Sequence, residues 1–178
     1  MKMAKKLLAL VLTGVMAMSV LTGCGSTASS QAAGKLEGML KKANPKATVE
    51  VGSEALANTA IDAATENGKL QTPASAKSRI STALQNAKND EYVWYTYFKA
   101  EGKNETDKAQ EISNVVLAED GKINSSHAIN AYLLNRNGNK PGDKFVLSMN
   151  EFTVKETSGG KTTDVVYIMA VVTCEPVK

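Results

Sequence analysis

The sequence contains very little of what metal and cofactor sites are built from. Among its 178 residues there is one histidine, His127, and there are two cysteines, Cys24 and Cys174. Zinc sites usually take three or four nitrogen, sulfur or carboxylate ligands held together, and one or two thiols with a single imidazole cannot supply them. The glycine-rich motifs that bind phosphates and dinucleotides are missing as well. The sequence therefore predicts no metal ion and no cofactor.

The motifs of common nucleophilic enzymes are missing too. The chain has no G-x-S-x-G turn, which presents the serine of many hydrolases. Its one histidine, His127, follows Ser125 and Ser126 near a predicted helix start, and adjacent helical positions do not face each other. We interpret His127 as a surface or helix-capping residue, and we predict that the protein is not an enzyme. The alternative is a hydrolase that uses His127 together with nearby acidic residues.

The excess of basic charge is confined to the N-terminus. The chain has 21 basic and 18 acidic residues. Lys2, Lys5 and Lys6 account for three of the basic residues, and no acid occurs before residue 24, so the rest of the chain carries 18 of each sign. No basic run interleaved with aromatic residues is present. We therefore predict no nucleic-acid partner.

Residues 1–23 have the layout of a secretory signal peptide. The basic N-terminus is followed by an apolar run, Leu7 to Leu21, and then by the small residues Thr22 and Gly23. This order of a basic, an apolar and a small-residue region is typical of such signals. The apolar run spans about 15 residues, whereas a membrane-spanning helix needs roughly 20. An uncleaved transmembrane anchor is the alternative interpretation.

The four residues Leu21-Thr22-Gly23-Cys24 resemble the lipobox of bacterial lipoproteins. The resemblance implies that the Cys24 thiol receives a diacylglyceryl group and that a signal peptidase cleaves before Cys24. Two acyl chains are enough for stable attachment, since each buried methylene contributes ~0.8 kcal/mol. The resemblance therefore implies an extracytoplasmic protein whose partner is a bacterial membrane, bound through the lipid on Cys24. It covers residues 1–24 only.

The remaining chain divides into a tether and one domain. Residues 24–34 comprise Cys24 and a run of small and polar residues without an apolar period, which predicts a flexible tether with a reach of ~18 Å. Residues 35–178 are long enough for a single globular domain. Within that domain Cys174 lies in an apolar strand, and we interpret it as a small buried core residue. The alternative is a Cys24–Cys174 disulfide in a secreted protein without lipid.

The pattern of apolar residues predicts an α+β fold, an antiparallel sheet of about four strands with N-terminal helices packed on it. Helices are predicted over Lys35–Ala43 and from Pro73 onward, and a strand over Glu111–Ala118, although its spacing also permits a helix. Lys144–Lys155 and the following apolar strand, Val165–Cys174, form a long hairpin. Val165–Cys174 is apolar on both faces, which predicts a central strand covered on both sides. Its apolar positions change parity near Asn150 and Glu151, which predicts a bulge there.

The strongest internal feature is an aromatic strand, Tyr92 to Phe98, which holds five of the nine aromatic residues of the chain. Successive strand residues point to opposite faces, so Tyr95 and Tyr97 share one face while Trp94 lies on the other. Core packing on both faces is one interpretation. The other is that one face, formed by Tyr95 and Tyr97 or by Trp94, stays partly open and binds an envelope sugar, peptide or protein partner. The sequence thus predicts a non-catalytic binding module on a lipid anchor.

Overall fold

The computed structural model describes residues 25–178, and side chains from residue 27 onward. The predicted signal peptide and the predicted lipid on Cys24 therefore lie outside the described residues. Within them the chain is α+β, as the sequence predicts, with helices and a four-stranded sheet that is mostly antiparallel. No helix within residues 25–178 is long and apolar enough to cross a membrane.

Helices and strands alternate irregularly along the chain. The helices are α1 (Gly25–Ala43), α2 (Ala55–Ala64), α3 (Pro73–Ala87), α4 (Glu105–Val116) and α5 (Ala131–Arg136), with one 3-10 turn over Ser125–His127. The strands are β1 (Thr48–Val51), β2 (Thr65–Glu66), β3 (Lys69–Leu70), β4 (Tyr92–Lys99), β5 (Lys140–Ser158) and β6 (Lys161–Val177). Strands β2 and β3 form a small separate hairpin.

The main sheet has the strand order β1-β5-β6-β4. Strand β6 pairs with β5 on one side and with β4 on the other, both antiparallel, while β1 pairs with β5 in parallel. The predicted central position of the apolar strand Val165–Cys174 is thus confirmed, because it lies within β6. Strands β1 and β4 form the two edges of the sheet, and this edge position of β4 determines where the candidate site lies.

Both faces of the sheet are covered by helices. One hydrophobic cluster joins α1 and α4 to the face that carries Trp94, Phe145 and Ile168. A second cluster joins α2 and α3 to the face that carries Val93 and Met169. Residues 167–174 of β6 are all buried. Ile168, Ala170, Val172 and Cys174 enter the first cluster, while Met169 and Val171 enter the second. Because each Å² of buried apolar surface contributes about 25 cal/mol, a strand that is buried on both faces contributes to the hydrophobic stabilisation of both helical layers.

The predicted bulge near Asn150 and Glu151 is wrong. The pairing of β5 with β6 runs without a register shift from Phe145 to Ser158, and the irregularity lies instead between Pro141 and Phe145. The apolar positions change parity because a different face of β5 is covered at each end. Phe145 belongs to the cluster of α1 and α4, whereas Phe152 packs against the cluster of α2 and α3.

The predicted flexible tether over residues 25–34 is also wrong, because these residues form the first half of α1. The side chains of Ser29, Ala32 and Ala33 are buried, and the two alanines belong to the hydrophobic cluster that continues with Leu36. Alanine has the highest intrinsic helix propensity. Its small side chain also lets α1 lie close against its neighbours, so a segment without large apolar residues still packs.

The predicted strand over Glu111–Ala118 is wrong, because residues 111–116 are the end of a helix, the alternative that the spacing permits. Helix α4 begins after Asn104, whose side chain accepts hydrogen bonds from the backbone N–H groups of Thr106 and Asp107, at 2.9 and 3.0 Å. The Asp107 carboxylate accepts in turn from the N–H of Asn104, at 3.0 Å. This reciprocal capping box satisfies donors that a helix start leaves unpaired. It also places Ile112 and Val116 on the buried side of α4.

The helical state of residues 25–34 can be tested by a pair of substitutions. Replacing Ala32 with Asp puts a charge into a buried site without a partner, and we expect the free energy of unfolding to fall by roughly 2 kcal/mol or more. The matched change Gln31→Asp, at an exposed position, should alter it by less than about 0.5 kcal/mol. Urea denaturation followed by circular dichroism measures both. If both substitutions changed the free energy of unfolding by the same small amount, residues 25–34 would be a flexible tether and not part of a packed helix.

Candidate functional site

The candidate site lies along the free edge of β4. Strand β4 combines aromatic and β-branched residues, which favour extended structure, and its only strand partner in the described chain is β6. The segment after α4 returns to the beginning of β4, and two of the hydrogen bonds that hold it there involve Val93 and Trp94. The Trp94 Nε1–H donates to the carbonyl of Asn124 at 2.9 Å, and the N–H of Ile129 donates to the carbonyl of Val93 at 2.8 Å. Beyond Val93 the edge is left uncovered by this segment.

A cavity of about 640 Å³ occupies that uncovered part of the edge. Its volume is in the range of small-molecule and peptide sites, roughly 300–1,000 Å³. Helix α3 forms one wall, and helix α4 with the 3-10 turn forms the other. The lining residues are Pro73, Lys77, Trp94, Tyr95, Thr96, Tyr97, Asn114, Val115, Ser126 and His127. We call this cavity the β4-edge groove.

Tyr95 and Tyr97 form the side of the groove next to α3, and both side chains are half-buried. The Tyr95 hydroxyl lies 3.4 Å from the Lys77 carbonyl, to which it donates a long hydrogen bond, and burial raises the pKa of Tyr95. The Tyr97 ring packs against Tyr167, with the ring centroids 6.3 Å apart. Tyr167 in turn contacts Phe152 at 5.8 Å. The two tyrosine rings are therefore held in place before any ligand arrives, which reduces the entropy cost of binding.

The structure places the ring of Trp94 in the core rather than in the open. Trp94 is 2% exposed. Its ring stacks on the Tyr92 ring with centroids 5.9 Å apart and lies tilted against the Phe145 ring at 6.2 Å. Because its N–H donates to the Asn124 carbonyl, the indole positions the segment that covers the start of the edge. The sequence did not decide which face of β4 is partly exposed. In the structure it is the face of Tyr95 and Tyr97.

His127 and Ser126 line the opposite wall, and both are exposed. The Ser126 hydroxyl donates to the side-chain oxygen of Asn124 at 2.8 Å. The lining residues of the groove include no aspartate or glutamate. The hydrolase considered from the sequence needs a base oriented by an acid. The groove has a histidine and a serine among its lining residues but no acid.

Several lining residues could not be identified from the sequence. Lys77 lies on the polar side of an amphipathic helix, Asn114 lies on α4, and Thr96 is an ordinary strand residue. No motif connects them, because they meet only after α3 and α4 pack on opposite faces of the sheet. The one signal in the sequence that leads to the groove is the cluster of aromatic residues in β4.

Comparison with known proteins adds no assignment. The chain matches no protein-family model, no curated protein and no solved structure. Among residues 25–178, no group of three or more histidine, cysteine, aspartate or glutamate side chains is placed to hold a metal ion.

Cys174 is the remaining residue with nucleophilic potential, and it lies far inside the sheet. It is a free, buried thiol in β6 that pairs with Tyr92 on one side and with Phe145 on the other. Its Sγ lies 3.6 Å from the carbonyl of Gly142. Burial raises the pKa of Cys174 to about 12. Since the thiolate is the reactive form, this thiol is suited to packing and not to chemistry.

The protection of Cys174 predicts how it responds to a thiol reagent. In the folded protein at neutral pH we expect no labelling by a maleimide, because the thiol is both buried and protonated. In urea the same residue should be labelled completely. Mass spectrometry of the peptide that contains Cys174 separates this reaction from any at Cys24. Rapid labelling in the absence of urea would show that β6 opens or that Cys174 is exposed.

Proposed function

We propose that this protein is a lipid-anchored, extracytoplasmic binding module of the bacterial cell envelope, and that the β4-edge groove is its ligand site. The observation that carries the proposal is the groove itself. Two half-buried tyrosine rings and the polar side chains of Lys77 and His127 converge on one cavity of about 640 Å³. A mainly apolar cavity with a few convergent polar groups is the usual form of a binding site.

The proposal of a lipid anchor rests on the sequence of residues 1–24. The position of α1 determines how far such an anchor would hold the domain from the membrane. Helix α1 begins at Gly25 and is already packed against the domain at Ser29. The residues between Cys24 and Ser29 are helical and rise by ~1.5 Å each. A lipid on Cys24 would therefore hold the domain close to the headgroup layer, without the slack of a long tether.

The anchor is tested with the two cysteines of the chain. In cells grown with labelled palmitate, the wild-type protein and a Cys174→Ala variant should both incorporate the label and sediment with membranes. A Cys24→Ala variant should do neither, because only the Cys24 thiol can form the thioether. Label in the Cys24→Ala protein, or membrane attachment without label in the wild type, would contradict the proposed anchor.

The groove is tested with envelope-derived and synthetic probes. The wild-type protein is tested for binding to three classes of probe. These are glycan strands from purified cell wall, stem peptides from the same source, and a phage-displayed library of random heptapeptides. At least one class should bind, and affinity for it should fall roughly tenfold or more when Tyr95 and Tyr97 are both replaced by Ala, since aromatic contacts dominate such sites.

Tyr132 supplies the matched control. It lies on α5, is 72% exposed and does not line the groove. Tyr132→Ala should therefore leave binding unchanged. Binding that is lost equally in the Tyr132→Ala protein, or the failure of all three probe classes to bind, would contradict the groove as a ligand site.

The hydrolase alternative has no specific observation in its favour. His127 and Ser126 share the groove, but no carboxylate among its lining residues orients the imidazole. The Ser126 hydroxyl is bonded to Asn124. The groove offers the elements of binding, namely rings, amide groups and unpaired backbone, more completely than those of hydrolysis.

A further inference from the structure

The free edge of β4 exposes backbone groups in a regular pattern. In an antiparallel pair, residues alternate between those that exchange hydrogen bonds with the partner strand and those whose N–H and C=O groups point away from it. The Val93 carbonyl points away from β6, because it accepts from Ile129, whereas the N–H of Ala100 donates to Val166 of β6. The pairing of β4 with β6 has no register shift between Tyr92 and Lys99.

It follows that Tyr95 and Tyr97, which have the same parity as Val93, direct their N–H and C=O groups into the β4-edge groove. Within residues 25–178 no hydrogen bond of the backbone occupies these four groups. They repeat at the two-residue spacing of a strand, about 7 Å apart. This is the spacing at which a second strand offers its own donors and acceptors.

The open part of the edge is short and has defined ends. On one side the segment containing Ile129 covers Val93. On the other side Lys99 forms an ion pair with Glu156 at 2.8 Å, and a charged residue at a strand end discourages further edge pairing. Walls from α3 and α4 rise on both faces. An extended chain that pairs with this part of the edge would therefore lie between the two walls.

We propose that an extended polypeptide segment with an acidic side chain binds in the groove as a fifth strand, paired with the backbone of Tyr95 and Tyr97. The inference rests on the proposed function, since it names the class of ligand for the same groove. Strand addition of this kind uses backbone hydrogen bonds for affinity and the pockets on either side for specificity. Alternate side chains of the added strand contact the tyrosine rings and α3, or else α4 and His127.

The charge of the ligand follows from Lys77. Its ammonium group forms no ion pair within the described residues, and the residues that line the groove carry no negative charge. An acidic side chain on the face of the added strand that meets α3 would form an ion pair with Lys77. An acid opposite Lys77 also fixes the register of the added strand, which is otherwise free to slip by two residues.

The test uses the full-length protein in detergent micelles and peptides selected from a phage-displayed library of random heptapeptides. We expect the selected peptides to contain an acidic residue and to lose roughly tenfold or more in affinity when alternate backbone nitrogens are methylated. Methylation at the intervening nitrogens should have little effect. Because methylation changes only the peptide, this result does not depend on the folding of a variant.

Two pairs of variants test the protein side. Tyr97→Pro removes an outward N–H without breaking the pairing with β6, and should weaken binding more than Tyr97→Ala, which removes only the ring. Lys77→Glu should abolish selection of acidic peptides, whereas Lys161→Glu, the same change at the exposed tip of the β5–β6 hairpin, should not. On binding, the amide protons of Tyr95 and Tyr97 should exchange more slowly with solvent, and that of Thr96 should not change.

The outcomes separate this inference from the proposed function. Binding of a cell-wall glycan but of no peptide, or peptide binding that is insensitive to methylation and to Tyr97→Pro, overturns strand addition while the groove remains a ligand site. Failure of every probe class to bind overturns both. Methylation sensitivity at alternate positions, together with slower exchange at Tyr95 and Tyr97, establishes the added strand.

Discussion

The burial of β6 on both faces is the constraint on which the rest of the structure depends. Eight consecutive residues, 167–174, are buried in this strand. An apolar strand of this kind cannot lie at an edge or face water on either side. It requires a strand on each flank and a helical layer above and below. The two helix pairs, α1 with α4 and α2 with α3, meet this requirement.

The groove is a consequence of the same arrangement. Because β6 needs a partner on each side, β4 becomes an edge strand, and the two helical layers extend past it as walls. Free edges are usually shortened, charged or covered, since they can pair with other chains. In this protein the segment containing Ile129 covers the edge of β4 only as far as Val93, and the first charged side chain after it in β4 is that of Lys99. Between them the edge keeps its backbone groups available and is flanked by aromatic rings that are already in place.

Trp94 has a different role from Tyr95 and Tyr97 because alternate side chains of a pleated strand point to opposite faces of the sheet. Trp94 points into the cluster of α1 and α4, where its ring is surrounded and its N–H is bonded to Asn124. Tyr95 and Tyr97 point to the other face, where α2 and α3 cover the sheet only in part. The tryptophan thus stabilises the segment that closes the start of the edge, and the tyrosines remain at its opening.

Each error of sequence interpretation has its own physical cause. Residues 25–34 lack large apolar side chains, which predicts a tether, yet alanine both favours the helix and permits close packing. The parity change in β5 predicts a bulge only if one face is covered throughout, and period alone does not say which face of a strand is covered at a given point. In α4 the apolar spacing fits a helix as well as a strand, and the capping box at Asn104 decides between them.

Periodicity and local propensity, which are properties of neighbouring residues, were enough to predict the α+β class, the central apolar strand, the helix that begins at Pro73 and the aromatic strand. By contrast, the tertiary structure was needed to show that β4 lies at an edge, that its tyrosine face is the partly exposed one, and that Lys77 and His127 line the same groove. Those facts depend on strand order and on helices packed from distant parts of the chain, and no local pattern encodes them.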